Sequence, residues 1–525
     1  MGAPQRATGA PWLTGATMAA VLALGGCAGV PQRMSRSADG LLPDTASRAG
    51  ALAAAHAGVV LPTAWSATAG PDADADADAK TVQARAGTSL ALWWSRFDDP
   101  QLGALVNQAL LANTSVKSAQ ATLRRARALR DVAAAGLLPT VGSSASVQRS
   151  QTGVGQQSSG ANHFAAGLDA SWELDVFGAK RGALNASEAT ALASAASLGD
   201  VQVSIAAEMG LGYIALRSAQ ARLAVAQANL ASQQETLQIT DWRLQAGLVD
   251  SLAAEQARAA TEQTSALIPP LLTTIEQTRH ALAVLLGQPP AALASVLADA
   301  GPVPQAPTDL ALSLPADTLR QRPDVRAAEL QVMAECSRLA VADAARLPSF
   351  KLSGSLGLSA LSLGALSHGA SVVGALLAGV AMPVFDGGAA SAQVRAQQAT
   401  LDQAGMAWQR AVLTALQEVE DALVVLRGDR ERLLRLTSAA DAAGQAALLA
   451  RQRYSSGLVD FQTVLETQRT QLSTQDSVAS AGADVSADHV RLYKALGGGW
   501  RADLAVGSLP TRPDSPEDTV RISRQ

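Results

Sequence analysis

The sequence is poor in aromatic residues, charged residues and cysteine. Its 525 residues are 3% aromatic and 16% charged, against roughly 25% charged in an ordinary soluble domain. Apolar residues make up 48% and are mostly small and aliphatic, which favours long, closely packed helices over a bulky enzyme core. The 41 basic and 45 acidic side chains give a net charge of −4. A nucleic-acid partner is therefore disfavoured, because phosphate binding needs a concentrated basic surface.

Long apolar runs are also missing, so the sequence predicts no membrane-spanning helix after the N-terminal region. At the N-terminus, Arg6 precedes a short apolar run that ends at Gly25-Gly26-Cys27. This order indicates an export signal, and we interpret residues 1–26 as a signal peptide. Leu24-Gly-Gly-Cys27 resembles a bacterial lipobox, which would make Cys27 the lipid-bearing first residue; an ordinary cleaved signal containing a cysteine is the alternative.

The chain contains two copies of one unit. Arg243-Leu-Gln-Ala-Gly-Leu-Val-Asp250 recurs as Arg453-Tyr-Ser-Ser-Gly-Leu-Val-Asp460, an offset of 210 residues. Because other landmarks keep nearly the same offset, we divide the chain around two repeats. The predicted segments are a lipid anchor, linker and equatorial segment at 27–92, a first repeat at 93–300, a second at 301–500 and a flexible tail at 501–525.

Apolar residues recur at steps of seven in both repeats, which predicts coiled-coil packing. The series are Met209, Leu216, Leu223, Leu230, Leu237 and Leu244, then Val412, Val419, Leu426, Leu433, Ala440, Ala447 and Tyr454. Gly247 and Gly457 each stand between two helical runs, so each predicts the tip of an antiparallel hairpin. The hairpins are predicted at about 182–287 and 388–496. Pro269-Pro270 predicts a break in the return helix of the first repeat only.

Gly/Ser-rich segments between the helices predict four strands, at about 140–150, 163–177, 349–360 and 371–385. Apolar residues alternate with small or polar ones there, which places Asp169 and Glu173 on the polar face. An apolar outer face and a polar inner face are typical of a membrane barrel, although a single such segment is more often solvent-edged sheet. Single-chain barrels start at about eight strands, so four cannot close and the barrel must be shared between chains.

No pattern in the sequence indicates an enzyme. The 5 histidines are scattered without metal-ligand spacing, and the chain has neither a phosphate-cradling loop nor a nucleophile elbow. We therefore predict no catalytic activity, no cofactor and no bound metal.

Five motifs in fixed order carry a family resemblance. They are Trp93-Trp-Ser-Arg-Phe-Asp-Asp-Pro-Gln-Leu102, Trp172-Glu-Leu-Asp-Val-Phe-Gly178, Arg322-Pro-Asp-Val-Arg-Ala-Ala-Glu329, Pro383-Val-Phe-Asp-Gly-Gly388 and Arg453-Tyr-Ser-Ser-Gly457. Together they resemble the outer-membrane efflux lipoproteins, the nodulation-type branch of the TolC superfamily, over about residues 60–500.

This resemblance implies an α+β membrane channel built as a homotrimer. Each chain would give four strands to a twelve-stranded barrel, and long antiparallel coiled-coil helices would form a tunnel into the periplasm. It implies a lipid-anchored protein of the outer membrane that conducts small amphiphilic compounds passively. A periplasmic adaptor and an inner-membrane RND-type pump would supply the energy. Type I protein secretion, metal efflux and a trimeric coiled-coil structural envelope protein stay open as alternatives.

The resemblance also implies functional positions. A periplasmic gate falls on Glu466, where relatives usually have Asp, and on Gln462, where Leu is common. A solvated helix-face charge is the alternative for Glu466. Asp169 and Glu173 would face the barrel lumen, with a junction role equally open for Glu173. The adaptor would contact the helical tips at Arg243, Gly247, Asp250, Arg453, Tyr454, Gly457 and Asp460.

Overall fold

The structure is a computed structural model that describes residues 92–152, 159–305, 322–367, 372–498 and 500. The predicted signal peptide, the predicted lipid-bearing Cys27 and the predicted tail at 501–525 lie outside the described residues.

Both repeats place helix, two strands and a long helical hairpin in the same order. The first contains α1 (Pro100–Ala112), α2 (Thr114–Ala135), β1 (Thr140–Thr152), β2 (Ser159–Leu174), α3 (Ala179–Gln245), α4 (Ser251–Ser265) and α5 (Ile268–Leu285). The second contains α6 (Pro323–Ala344), β3 (Ser349–Ala360), β4 (Val372–Ala381), α7 (Ala389–Ser455) and α8 (Phe461–Ala495). Short 3₁₀ turns lie at Trp93–Phe97, Pro290–Leu293 and Leu363–Ser367.

The long helices α3 and α7 have 67 residues each, which corresponds to about 100 Å at 1.5 Å per residue. Each folds back on a return helix, as predicted. The return path of the first repeat is broken between α4 and α5, with Pro269 and Pro270 in the first turn of α5. The return helix α8 of the second repeat runs unbroken for 35 residues. The predicted asymmetry is confirmed, because proline cannot donate the backbone hydrogen bond of a helix interior.

The heptad seam behaves differently along its length. Met209 and Leu216 are fully buried, whereas Leu230 and Leu237 are only half-buried. The buried positions in the distal half of α3 are mainly polar instead: Asn229, Gln233, Thr236 and Thr240. The distal leucines therefore flank the contact that α3 makes within the chain.

The four strands form one antiparallel sheet in the order β1-β2-β3-β4. The β2–β3 pairing joins the two repeats, with Gly167 opposite Gly357 in the register. Strand β2 ends at Leu174 instead of 177, because the Asp175 carboxylate accepts hydrogen bonds from the backbone N–H groups of Lys180 and Arg181 at 2.9 Å. Strand β4 ends at Ala381 instead of 385, where Met382 and then Pro383 follow.

The main core lies where the 3₁₀ turn at Trp93–Phe97 packs against the long helices. Trp93 is 1% exposed and stacks on Tyr493 of α8, with ring centroids 5.6 Å apart and planes 17° apart. Asp99 caps α1 through the backbone N–H groups of Gln101 and Leu102, and its other oxygen accepts from the Tyr213 hydroxyl at 2.9 Å. The first family motif thus forms a structural collar.

A second motif ties three helices together. Pro323 begins α6 and Asp324 lies in its first turn, as the sequence indicated. Arg322 forms ion pairs with Asp324 and with Glu418 of α7, each at 2.8 Å. It also donates to the carbonyl of Ala495 at the end of α8, at 2.7 Å. The motif is structural and links α6 to the second hairpin.

A buried carboxylate lies in the contact between α7 and α8. The side chain of Asp488 is 1% exposed, and Arg491 donates a hydrogen bond to it. Burial, together with the neighbouring Asp429 carboxylate, raises the pKa of Asp488 to about 6. The folded state therefore binds a proton more tightly than the unfolded chain does.

This raised pKa predicts a specific pH dependence. The stabilisation from protonated Asp488 is complete below about pH 4 and is lost as the pH rises through about 6. We expect Asp488→Asn to raise the melting temperature at pH 8 and to leave it nearly unchanged at pH 4. Asp484→Asn, which alters an exposed carboxylate of the same helix, is the matched control. Equal effects of Asp488→Asn at both pH values would show that Asp488 ionises normally.

Candidate functional site: sheet faces, helical tips and gate positions

The sheet has one polar face that runs across three strands. The register aligns Gly142, Asp169 and Ser355 on one side, and Val141, Ala170 and Gly354 on the other. On the polar side Ser144, Ser146 and Gln148 of β1 and Ser353, Ser355 and Ser359 of β3 flank β2. On the other side Leu352, Leu356 and Leu358 lie beside Phe164, Leu168 and Trp172. The alternation predicted for single strands therefore forms two continuous surfaces.

Asp169 and Glu173 both lie on the polar face, in different surroundings. Asp169 accepts a hydrogen bond from the Ser144 hydroxyl at 2.8 Å. Glu173 lies opposite Lys351 in the register and forms an ion pair with Lys180 of α3 at 3.0 Å. Glu173 thus has the junction contact that the sequence left open, whereas Asp169 keeps its negative charge on the polar face.

The two outer edges of the sheet are open within the described chain. Strands β1 and β4 each pair on one side only, over 13 and 10 residues respectively. Strand β4 is apolar on both faces, and Leu376 and Leu377 are 79% and 66% exposed. Long, exposed, apolar edge strands are templates for pairing with another chain. The sheet is therefore shaped for strand addition at both ends.

The two helical tips have the same construction. Gly247 and Gly457 have φ of +71° and +72°, a left-handed conformation that glycine adopts without strain. The N–H groups of Leu248 and Leu458 donate to the carbonyls of Arg243 and Arg453, each at 2.8 Å. The next helix starts in both cases from an aspartate cap: Asp250 accepts from Ala253 and Asp460 from Thr463, both at 3.0 Å.

The tips expose apolar side chains and close off one of the predicted contact residues. Leu248 and Leu458 are 73% and 75% exposed. Tyr454 is buried beside Phe461, with ring centroids 5.8 Å apart. Arg243 donates to the carbonyls of Tyr454 and Ser455 at 3.1 and 3.0 Å, and its guanidinium lies 4.4 Å from the Tyr454 ring centroid. Arg243 is therefore engaged between the hairpins, whereas Arg453 is exposed.

The predicted gate residues lie on the first two turns of α8. Glu466 and Gln462 are both exposed. Gln462 donates to the side chain of Gln256 on α4 at 2.6 Å, so its position is fixed by the neighbouring hairpin. Arg469 is also exposed, one turn beyond Glu466. A single chain does not bring these side chains together into a constriction, so the gate assignment stays a prediction.

Sequence reasoning missed a row of polar contacts between α3 and α8. Arg222 forms a two-point ion pair with Asp476, at 2.7 and 3.0 Å. Asn229 donates to Gln475 at 2.9 Å, and Gln468 donates to Thr236 at 3.0 Å. The signal was present as polar residues at spacings of three and four, but the leucine heptads beside it dominated the pattern.

Among the described residues, no group of three or more His, Cys, Asp or Glu side chains could hold a metal ion. None of the helices in the described ranges is both long and apolar enough to cross a membrane. Two long helical hairpins on an open sheet with one polar face define the subunit of an outer-membrane channel. The chain belongs to the outer membrane efflux protein family, whose model matches residues 105–288 and 314–498.

Individual relatives agree with this assignment. The chain is 29% identical over 428 residues to nodulation protein T of Rhizobium leguminosarum bv. trifolii, covering 81% of this chain and 91% of that one. It is 30% identical to the pyoverdine export outer membrane protein OpmQ of Pseudomonas putida, covering 78% and 88%. Among solved structures, the outer-membrane channel OprN matches with a TM-score of 0.76 and 35% identity, covering 84% of this chain and 98% of OprN. The predicted family and fold class are confirmed.

Proposed function

We propose that three copies of this chain form a passive conduit through the outer membrane. The observation that carries the proposal is the open four-stranded sheet with its continuous polar face. If β1 of one copy pairs with β4 of the next, three copies close a barrel of twelve strands. The polar face then lines the lumen and the apolar face contacts lipid. The helical hairpins extend the lumen into the periplasm by about 100 Å.

The cargo we propose is small amphiphilic compounds, driven by an inner-membrane RND-type pump through a periplasmic adaptor. The name of the pyoverdine exporter supports small-compound transport over protein secretion or metal efflux. A structural coiled-coil stalk would not need a sheet with a continuous polar face. We retain Cys27 as the proposed lipid anchor and residues 1–26 as its signal peptide, so that the anchor and the barrel both hold the protein in the outer membrane.

The adaptor contact is proposed at the exposed leucines of the tips. Changing Leu248 and Leu458 together to Glu should strongly reduce adaptor-dependent export, because it places charge on an apolar docking surface. These positions are better probes than Gly247 and Gly457, whose left-handed backbone would strain any replacement. Export of a fluorescent pump substrate from whole cells is the measurement.

Leu434→Glu is the matched control, because Leu434 is similarly exposed but lies within α7, far along the chain from either tip. Normal export by the double tip variant would place the adaptor elsewhere. A loss of outer-membrane protein in that variant would show a folding defect and would also refute the assignment of these leucines to docking.

The gate is proposed at Glu466, where three carboxylates would surround the channel axis. We expect the purified protein to conduct ions in planar bilayers, and Glu466→Ala to raise the conductance and weaken cation preference. The loss of cation preference should be clear at about 0.01 M salt, where the screening length is about 30 Å, and small at 1 M, where it is about 3 Å.

Glu431→Ala, which removes an exposed carboxylate of α7, is the control for this measurement. An unchanged conductance in Glu466→Ala would place the constriction elsewhere. A wild-type protein that never conducts would refute the conduit itself.

A further inference from the structure

Arg243 clasps the two hairpins of one chain together at their tips. It extends from the last turn of α3 to the final carbonyls of α7, those of Tyr454 and Ser455. A cation at the C-terminus of a helix is stabilised by the unsatisfied carbonyls and by the helix dipole. The Tyr454 ring adds a cation–π contact at 4.4 Å. Four groups thus hold one guanidinium in a fixed place.

The second repeat carries the same arginine without this contact. Arg453 stands four residues before Gly457, as Arg243 stands four residues before Gly247. It lies in the last turn of α7, and no hydrogen bond or ion pair joins its side chain to another residue in the described ranges. The carbonyls that correspond to those of Tyr454 and Ser455 belong to Leu244 and Gln245, at the end of α3. No side chain donates to them within the described part of the chain.

The other contacts between the hairpins do not repeat. Arg222, Asn229 and Thr236 of α3 bind polar partners on α8, as described above. The residues 210 positions after Asn229 and Thr236 are Ala439 and Ala446. Arg432 follows Arg222 at this offset, but the position equivalent to its partner Asp476 is Ala266. Of these four polar links, only the tip arginine and its carbonyl acceptors exist in both repeats.

We propose that Arg453 is the clasp between subunits, its guanidinium capping the carbonyls of Leu244 and Gln245 at the end of α3 in the neighbouring copy. This inference rests on the proposed trimer. In a closed ring of six hairpins, the contact from the second hairpin of one copy to the first hairpin of the next is equivalent to the contact seen within the chain. The ring of tips is then closed by six arginine caps, three within subunits and three between them.

The two kinds of cap differ in one respect. Leu244 occupies the position equivalent to Tyr454, so the cap between subunits has no aromatic ring beneath the guanidinium. It also lacks the row of polar contacts that joins α3 to α8. The seam between subunits is therefore the weaker one at the tips, and it opens before the seam within a subunit.

Cross-linking tests this assignment on the full-length protein in a Cys336→Ser background. Arg453→Cys combined with Gln245→Cys should give covalent trimers with a short bifunctional maleimide that reaches over one arginine side chain. The matched pair, Arg243→Cys with Ser455→Cys, should be linked only within the chain and should run as a monomer after denaturation. Native mass spectrometry of both samples before cross-linking gives the number of subunits.

Three outcomes distinguish the clasp from the trimer. Covalent trimers from the first pair alone would support the clasp. A native trimer in which the first pair gives no product between subunits, while the matched pair is linked, would overturn the clasp and leave the conduit intact. A monomer in native mass spectrometry would overturn the proposed assembly and the clasp with it.

Discussion

Replacing Gly357 by alanine should prevent assembly of the channel, although it adds only one methyl group. A Cβ at this position would lie 2.7 Å from the carbonyl oxygen of Ala166 and 2.9 Å from the Cα of Gly167. Both are backbone atoms of β2, so the strands would have to separate. This pairing is the only one that joins the strands of the two repeats, and its loss would leave two isolated hairpins, which are marginal in water.

Gly354→Ala is the control, since it lies in the same strand and its added Cβ would meet the nearest atom at 3.7 Å. The measurement is the amount of native oligomer extracted from the outer-membrane fraction. We expect near-complete loss for Gly357→Ala and wild-type amounts for Gly354→Ala. Equal amounts from both variants would mean that the β2–β3 contact tolerates the extra atom and that the register is looser than described.

The second large effect is expected at Trp93. Trp93→Ala removes a ring that is 1% exposed and packed on Tyr493, Trp94 and Phe97, with centroid distances of 5.6 to 5.9 Å. Truncating a buried tryptophan costs about 3–5 kcal/mol, a large part of the roughly 5–15 kcal/mol that stabilises a typical protein. We expect a marked fall in the denaturant concentration at the unfolding midpoint.

Trp242→Ala provides the comparison, because Trp242 is 59% exposed near the tip of α3. Its removal should change the midpoint little. Similar midpoints for the two variants would show that the collar around Trp93 contributes no more to stability than an exposed side chain does.

The sequence predicted the features that depend on local pattern. Two repeats, two hairpins turning at Gly247 and Gly457, and the broken return helix at Pro269 all follow from spacing and backbone chemistry. The ends of β2 and β4 were predicted three and four residues too late. Asp175 continues the apolar and polar alternation of β2 but serves as a helix cap, and alternation alone cannot distinguish these roles.

Side-chain direction at the tips was harder to predict. The motif that contains Arg243 and Arg453 marks a helix end, but it does not show whether an arginine faces an adaptor or a neighbouring helix. In the fold Arg243 contacts the end of α7 through carbonyls that lie more than 200 residues away in the chain. The gate at Glu466 was beyond sequence reasoning for another reason: a constriction around an axis is a property of the assembly.

Interpreting the sheet as part of a barrel requires that the open edges of β1 and β4 find each other in other copies. The mass of the detergent-extracted protein under native conditions tests this most directly. We predict a species of three chains, each of 53.5 kDa less the signal peptide and plus any attached lipid. A protein that stays monomeric after gentle extraction would contradict the account, because four strands from one chain cannot enclose a pore.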